Sequence, residues 1–535
     1  MWMQTEKSPV CSDEKRKKGC ISNMTHSFAA IMCTIIAYLF GMLIIGILYS
    51  RKTKDVSDFY LGGRKLGPLV AAMSAEASDM SSWLLMGLPG VAYLTGGAEA
   101  GWTAIGLAIG TYLNWLIVAK RLRIYSQKTN SLTIPEFFSN RYHDSNNILK
   151  GVAAVIILVF FVPYTASGFS ACGKLFETLF NIDYHLAMVL SAAVIIAYTC
   201  SGGFLAASFT DLIQSIVMTI ALISIVLFGV NHAGGFDNVV NNAKSITGYF
   251  SLSNIHNVDT GAADHYSLLT IASLMAWGLG YFGMPHVLLR FMATENQDKI
   301  KTSRRIATVW VIISMAVAIF IGFVGNVLSA NGLIEKLDGN NSERIIIKIA
   351  MFMSENNIFL AIIAGLVFAG ILACTMSTSD SQLLAASSSM SEDLLKGVFK
   401  MKMSEKTSML VARLVLIVIA VLGVVLAWNP DSSVFRVVSF AWAGFGATFG
   451  PVMLTALFWK RSNKNGAIAG MIVGGVMVFV WKFCISKLGG AFGIYELLPA
   501  FVLATITIIV VSLITKAPDQ EVLDEYNEVN ALMKQ

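Results

Sequence analysis

The chain has 535 residues, of which 55% are hydrophobic and only 13% charged. A water-soluble domain carries about a quarter charged residues, so this composition excludes a disordered chain, a disulfide scaffold and an ordinary cytosolic enzyme. The net charge of +6, spread over 39 Lys+Arg and 33 Asp+Glu, suits loops lying against anionic lipid and gives no sign of a nucleic-acid partner.

A helix needs roughly 20 apolar residues to cross the hydrocarbon of a bilayer. In chain order, apolar runs bounded by charge or turn residues predict thirteen spans, near 28–49, 68–94, 101–119, 149–172, 184–200, 209–230, 267–289, 306–330, 357–388, 408–427, 433–458, 465–485 and 494–515. Each is read as helix, because a lone lipid-exposed strand leaves its backbone groups unpaired. The chain thus reads as an all-α integral membrane protein. A polar segment, 1–27, precedes a single transmembrane domain over 28–515, and a polar tail, 516–535, follows it.

The charged connections alternate. Arg51, Lys52, Lys54, Arg64 and Lys65 follow the first span, and Lys120, Arg121, Arg123 and Lys128 the third. Arg290, Lys299, Lys301, Arg304 and Arg305 follow the seventh. Lys396, Lys400, Lys402 and Lys406 follow the ninth, and Lys460, Arg461 and Lys464 the eleventh. The intervening loops 95–100, 231–266 and 428–432 are poor in both residues. The positive-inside rule then puts the N-terminus outside and the C-terminus in the cytoplasm. Lys15-Arg16-Lys17-Lys18 runs against this pattern; either the stronger internal pattern overrides it or the chain starts at Met24. The first apolar run is too long for a cleaved signal peptide.

Motifs for enzyme chemistry fail. Gly168 to Lys174 has P-loop spacing, but Leu175 replaces the required Ser or Thr and the stretch lies at a membrane-helix end. HExxH and GxSxG are missing and the seven His are dispersed, so the chain is read as a non-enzyme. Cys33, Cys172, Cys200, Cys374 and Cys484 stand singly in apolar stretches and read as small buried hydrophobes, while Cys11 and Cys20 carry no assigned role.

Two spans are interrupted. The second reads Ser74-Ala-Glu76-Ala-Ser-Asp79-Met-Ser-Ser-Trp83, ending at Pro89-Gly90; the seventh, five spans on, reads Trp277-Gly-Leu-Gly-Tyr281-Phe-Gly-Met284-Pro285-His286. Paired broken helices in corresponding positions of two halves point to a transporter's binding site, since unwound backbone frees carbonyls for a cation and helix ends for a zwitterion. The ninth span carries Met376-Ser377-Thr378-Ser379-Asp380-Ser381-Gln382. A single intramembrane hydroxyl usually bonds its own helix, but a block this dense lines water, an ion path or a helix interface, and Ser377 and Thr378 are hard oxygen donors. Glu76 and Asp79, three apart on one helix face, and Asp211 near the start of the sixth span are costly at membrane depth and so are site candidates.

Tyr60-Leu-Gly-Gly-Arg64, Ala77-Ser-Asp-Met80 with Trp83 to Gly90, Gly202 to Ala206 with Thr210-Asp211, Trp277 to Gly283 with Pro285-His286, Met376-Ser-Thr378, and Gly444 to Arg461 together carry a resemblance. Over about Ala29 to beyond Leu513 the chain resembles the sodium:solute symporter family. The resemblance implies a leucine-transporter-type core, an inverted repeat of five plus five helices. Repeat one covers about 68–230 and repeat two about 267–458, with the first, twelfth and thirteenth spans peripheral. It implies import of a small solute with sodium by alternating access at the plasma membrane. Proline is favoured; another amino acid, a monocarboxylate or pantothenate is the alternative. It implies no cofactor beyond sodium as coupling ion and no obligate protein partner.

By position, the resemblance implies sodium ligands at the backbone carbonyls of Ala77, Met80 and Cys374 and the hydroxyls of Ser377 and Thr378. It gives Asp79 a role in cation affinity, Asp211 one in cation access or gating, and Arg64 one in coupling. The solute pocket would be lined by Tyr164, Trp277, Tyr281 and Pro285, with Ser81 and Trp83 nearby. Aromatic walls suit an apolar ring, and unwound backbone suits a carboxylate and a secondary amine. Glu76 and Ser82 stand where the family usually has small residues, and Met284 where proline-carrying members have Gln. These departures bear on cation choice and solute fit. A sensor on the same scaffold would append signalling domains, whereas only about twenty polar residues follow the last span; a channel would conduct without saturating.

Overall fold

The computed structural model describes residues 14–50 and 56–534. Helix α1 (Glu14–Ser50) carries the first apolar window, His26–Tyr49. The second predicted span is divided: α2 (Pro68–Asp79) ends at a break and α3 (Leu88–Thr95) resumes after a widened turn, Trp83–Gly87. Then come α4 (Gly97–Lys128), the short α5 (Ile134–Arg141) and α6 (Ile148–Phe180). Helices α7 (Tyr184–Thr199) and α8 (Gly203–His232) run on from each other across a kink at Gly203, whose φ is 70°. The connection after α8 holds the helix Phe236–Ser245 and an antiparallel hairpin of β1 (Asn254–His256) and β2 (Ala263–His265), with Asn254 opposite His265.

The seventh span is also divided, into α9 (Leu268–Phe282) and α10 (Pro285–Ala293), bent by 45°. Helices α11 (Ile300–Ala330), α12 (Ile358–Ser388), α13 (Glu405–Leu426), α14 (Val434–Phe458), α15 (Lys464–Val480), α16 (Leu497–Ile514) and α17 (Gln520–Lys534) follow. Among the described residues ten helices are long and apolar enough to cross a membrane, or eleven with the bent pair. The predicted thirteen is not reached by that measure, because the second span is broken and the fifth, α7, is short.

Packing sorts the helices into two groups. Helices α2, α3, α4, α9, α10 and α11 contact one another, while α6, α7–α8, α12 and α13 form a second group. The groups meet where α2 lies on α8 and α12, and α14 lies against both α6 and the 276–282 stretch. Lipid tails are as apolar as leucine, so burying apolar surface does not drive this packing; close fit does. Leu410, Leu414, Val418, Val421 and Val425 accordingly point outward along one face of α13. Gly106 and Gly110 of α4 let it reach the backbone of α9: an added methyl would strike the carbonyls of Met275 and Gly278.

Two expectations change here. Cys33 and Cys484 are exposed on helices rather than buried, whereas Cys172 and Cys374 are buried. Cys11, Lys52 and Lys54 lie outside the described residues, as do the side chains of Cys20, Cys200 and Lys15 to Lys18. The polar tail is not merely a tail, because α17 is docked. Val522, Tyr526 and Val529, spaced four and three apart on one face, are buried, and Arg121 and Arg141 lie 5.0 and 5.3 Å from the Tyr526 ring. Arg121 also donates to Asn530 at 2.6 Å, and Lys128 pairs with Glu528. Tyr526→Ala is expected to cost this docking about 2–4 kcal/mol. Limited proteolysis should then cut within 520–534 at least tenfold faster, and an unchanged rate would contradict the docking.

Candidate functional site

Each break has a local cause. In the first, the Ser78 hydroxyl donates to the Ala75 carbonyl and the Ser81 hydroxyl accepts from the Trp83 amide, so side chains compete for the backbone's partners. The Met80 amide still donates to the Glu76 carbonyl at 2.8 Å, but Met80 itself leaves the helical region (φ −76°, ψ 59°), and Ser81 turns back onto the Asp79 carbonyl at 2.8 Å. In the second, Ala276–Phe282 tightens into a 3₁₀ stretch, Met284 is extended (φ −75°, ψ 107°), and Pro285 begins α10. A proline lacks the amide hydrogen and pushes its predecessor out of the helical region, so the break falls there.

The two breaks meet. The Tyr281 hydroxyl, from the second, donates to Asp79 Oδ2 in the first at 2.6 Å, while Tyr164 of α6 donates to the Asp79 carbonyl at 3.3 Å. Asp79 Oδ1 is buried without a hydrogen-bond partner. One turn back, Glu76 Oε1 accepts from the Trp115 indole at 3.0 Å and Oε2 has no partner. Two half-satisfied carboxylates therefore share one face of α2. Ser81 and Trp83 lie beside them, and the Trp83 and Trp277 rings are 5.9 Å apart. The Trp277 ring packs among further aromatic rings, from Phe435, Trp442 and Tyr495.

A cluster of hard oxygens lies where α12 crosses α2. The Ser377 hydroxyl donates to the Ala77 carbonyl at 2.8 Å and to the Cys374 carbonyl at 3.1 Å. The Thr378 hydroxyl beside it is buried with no partner. The Cys374 thiol turns away to the Ile371 carbonyl, so the residue offers oxygen, not sulfur. Carbonyl and hydroxyl oxygens suit a hard cation, and a buried orphan hydroxyl is costly unless something takes it up. Of the five predicted sodium ligands the structure thus joins Ala77, Cys374 and Ser377 directly. Thr378 adjoins them in sequence, and Met80 stands at the helix break.

Asp211 is not free to face a channel. Arg290 pairs with its Oδ2 at 3.1 Å and Ser74 donates to the same oxygen at 2.6 Å. Arg290 also reaches Ser74 at 3.0 Å, the His286 carbonyl at 2.9 Å and Ser381 at 2.5 Å, and Ser381 donates to the Ser377 carbonyl at 2.9 Å. A buried ion network thus joins α2, α8, α10 and α12 one turn from the oxygen cluster. Arg290 was expected in a charged loop; it is buried inside α10. Its flanks, Val287-Leu-Leu289 and Phe291-Met-Ala293, are apolar, and that was the signal available. Nearby, the Thr199 hydroxyl donates to Asp380, whose Oδ2 lacks a partner.

Arg64 stands apart from these residues. Its guanidinium holds Ser126, the Met292 carbonyl and the Ser131 carbonyl at 2.7–3.0 Å. Burial, with Arg123 nearby, pushes its pKa down. The adjoining Leu66 pairs with Ala293 and Glu295 through backbone bonds of 3.1 and 2.9 Å, which clips the start of α2 to the end of α10. Lys174, the last residue of the P-loop-like stretch, is inside α6 and pairs with buried Glu343 at 2.8 Å. Glu343 in turn accepts from Ser433 and from the amides of Val434 and Phe435, capping α14.

The profile described as "Sodium:solute symporter family" matches residues 59–474. The sodium/proline symporter of Haemophilus influenzae is 44% identical over 95% of this chain and 99% of its own. The high-affinity proline transporter of Bacillus subtilis is 42% identical over 92% and 100%. Among solved structures, a Na+-coupled sialic acid symporter in a substrate-bound outward-open state superposes with a TM-score of 0.75 at 21% identity, covering 92% of this chain and 99% of that one. The fold is the leucine-transporter type.

Removing one member of a buried ion pair strands the other, at a cost of about 3–5 kcal/mol, whereas replacing both by apolar groups costs far less. Arg290→Met alone is therefore expected to lower the thermal midpoint of the purified protein strongly, and Arg290→Met with Asp211→Leu to recover much of the loss. Equal midpoints for the single and double variants would mean that the pair is not coupled.

Proposed function

The chain belongs to the sodium:solute symporter family, and from that premise we propose that this membrane transporter imports L-proline together with sodium by alternating access. The observation that carries the sodium half is the oxygen cluster at the first break, where the Ser377 hydroxyl ties the Ala77 and Cys374 carbonyls and Thr378 is left unpartnered. Sodium takes the place of the Ser377 proton contacts, with Met80 closing the set from the end of α2. The names of relatives about 40% identical over nearly the whole chain support proline as solute.

The solute sits between the breaks in this reading. Tyr281, Tyr164 and Trp277 wall the apolar ring; Pro285, Ser81 and Trp83 bound the pocket; backbone freed from the helices meets the carboxylate and the amine. Asp79 carries the coupling. It lies two residues from Ala77 and accepts the Tyr281 hydroxyl, so ion and solute bear on the same short segment. Asp211, held by Arg290, acts on cation access through Ser381 and Ser377, and Arg64 holds the cytoplasmic ends of both broken spans together. Each sodium moved inward gains about 2.3 kcal/mol per 100 mV, which supports roughly fiftyfold solute accumulation.

In proteoliposomes an inward sodium gradient should drive proline uptake. Ser377→Ala with Thr378→Ala should lower that uptake at least a hundredfold while the protein still inserts. Uptake indifferent to sodium would remove the coupling, and no proline uptake beside strong uptake of another solute would remove proline.

We also propose that the N-terminus is outside and the C-terminus cytoplasmic. The start of α11, with Lys301, Arg304 and Arg305, lies on the same face as the end of α4 and the docked α17, because Arg123 donates to the Thr294 carbonyl and α17 packs on α4. In a background without other cysteines, an impermeant maleimide added to whole cells should label Lys336→Cys and spare Lys301→Cys. The reverse pattern would invert the topology.

A further inference from the structure

The second break is held in shape from outside the two broken spans, by Trp442 of α14. Its indole N–H donates to the Trp277 carbonyl at 2.7 Å. Its ring meets Tyr281 edge-on, with centroids 5.1 Å apart at 89°, and lies 6.2 Å from the Trp277 ring at a shallow angle of 29°. Trp442 is buried, and it reaches this position only because residue 280 is glycine: a methyl there would occupy the place of the indole nitrogen. From the opposite side, Asn114 of α4 donates to the Tyr281 carbonyl at 2.9 Å. The carbonyls of residues 277 and 281, four apart at the ends of the tightened stretch, are thus each given a side-chain donor by a different helix.

From this geometry we propose that Trp442 is a positioning residue that sets solute selectivity. It fixes the spacing between the Trp277 and Tyr281 rings, and through Tyr281 it fixes the hydroxyl that reaches Asp79. Tryptophan supplies two functions at once here, a donor for the carbonyl and a flat edge for the tyrosine. Phenylalanine keeps the edge and loses the donor. Without that donor the 3₁₀ stretch, whose hydrogen-bond geometry is weaker than an α-helix's, is free to shift by a fraction of an ångström. The rings move with it, and the pocket no longer distinguishes a compact cyclic amino acid from a straight-chain one of similar volume.

This inference rests on the reading of the pocket given above, and its test separates the two. Trp442→Phe is compared with the unaltered protein in proteoliposomes for apparent KM, maximal rate and competition by cyclic against straight-chain amino acids. We expect KM for proline to rise at least tenfold, the maximal rate to stay within about twofold, and the preference for cyclic solutes to fall at least fivefold. Unchanged KM and ranking would overturn the inference, as would a fall in maximal rate with KM unmoved. If Trp442→Phe does not insert, Gly280→Ala, whose methyl displaces the indole N–H, is read by the same outcomes. If the unaltered protein carries a solute other than proline, the proline reading fails by itself and the KM comparison is made with that solute.

Discussion

In hydrocarbon every backbone amide and carbonyl has to find its partner within the protein, and two helices of this chain stop short of supplying those partners. Much of the interior can be understood as the repair of those interruptions. Tyr281 crosses to Asp79, Tyr164 to the Asp79 carbonyl, Trp442 to the Trp277 carbonyl, Asn114 to the Tyr281 carbonyl and Ser377 to the Ala77 carbonyl. These repairs come from α6, α14, α4 and α12, so the interrupted segments are tied to both packing groups. A segment held by side chains rather than by its own ladder can exchange those partners for a ligand at little backbone cost. The same constraint that makes the breaks expensive makes them usable.

Charge follows a similar logic. A buried carboxylate is tolerated when it is paired or hydrogen-bonded, and the structure provides this unevenly. Asp79, Glu76 and Asp211 each have one oxygen bonded and one without a partner, but Asp211 alone of the three has a cation, Arg290, on its bonded oxygen. The ion-paired Asp211 ties four helices together one turn from the oxygen cluster. The other two face the junction of the breaks, where a cation's field would act on both. Glu343, sealed by Lys174 and three donors from the start of α14, anchors the N-terminal end of the same helix that carries Trp442.

What sequence could and could not reveal divides along the range of the interactions. The apolar runs, the serines around Met80 and the Gly-Pro punctuation near Met284 are local chemistry, so the helices and both breaks were legible. So was the Ser377–Thr378 block, because hydroxyls at that density are out of place in an apolar helix. The Tyr281–Asp79 bond joins residues 202 apart, and the Trp442–Trp277 bond residues 165 apart, so nothing along the chain foretells either. Arg290 was read as a loop charge because a basic residue at the end of a span ordinarily is one; its apolar flanks pointed the other way, and its partner on α8 shows why it is buried. The span count differs because length and hydropathy register continuous helices, and a site built on interrupted ones evades that measure. The docked α17 was hidden by its polar composition, since only three of its residues, Val522, Tyr526 and Val529, are buried apolar ones.

The central claim is that ion and solute act on one shared segment, Ala77 to Ser82, and this makes their binding reciprocal. Equilibrium binding of proline to the purified protein across a range of sodium concentrations, with sodium binding measured across a range of proline, tests that most directly. The account predicts that sodium tightens proline at least tenfold and that proline tightens sodium by the same factor, as linkage requires. Proline affinity independent of sodium would contradict it.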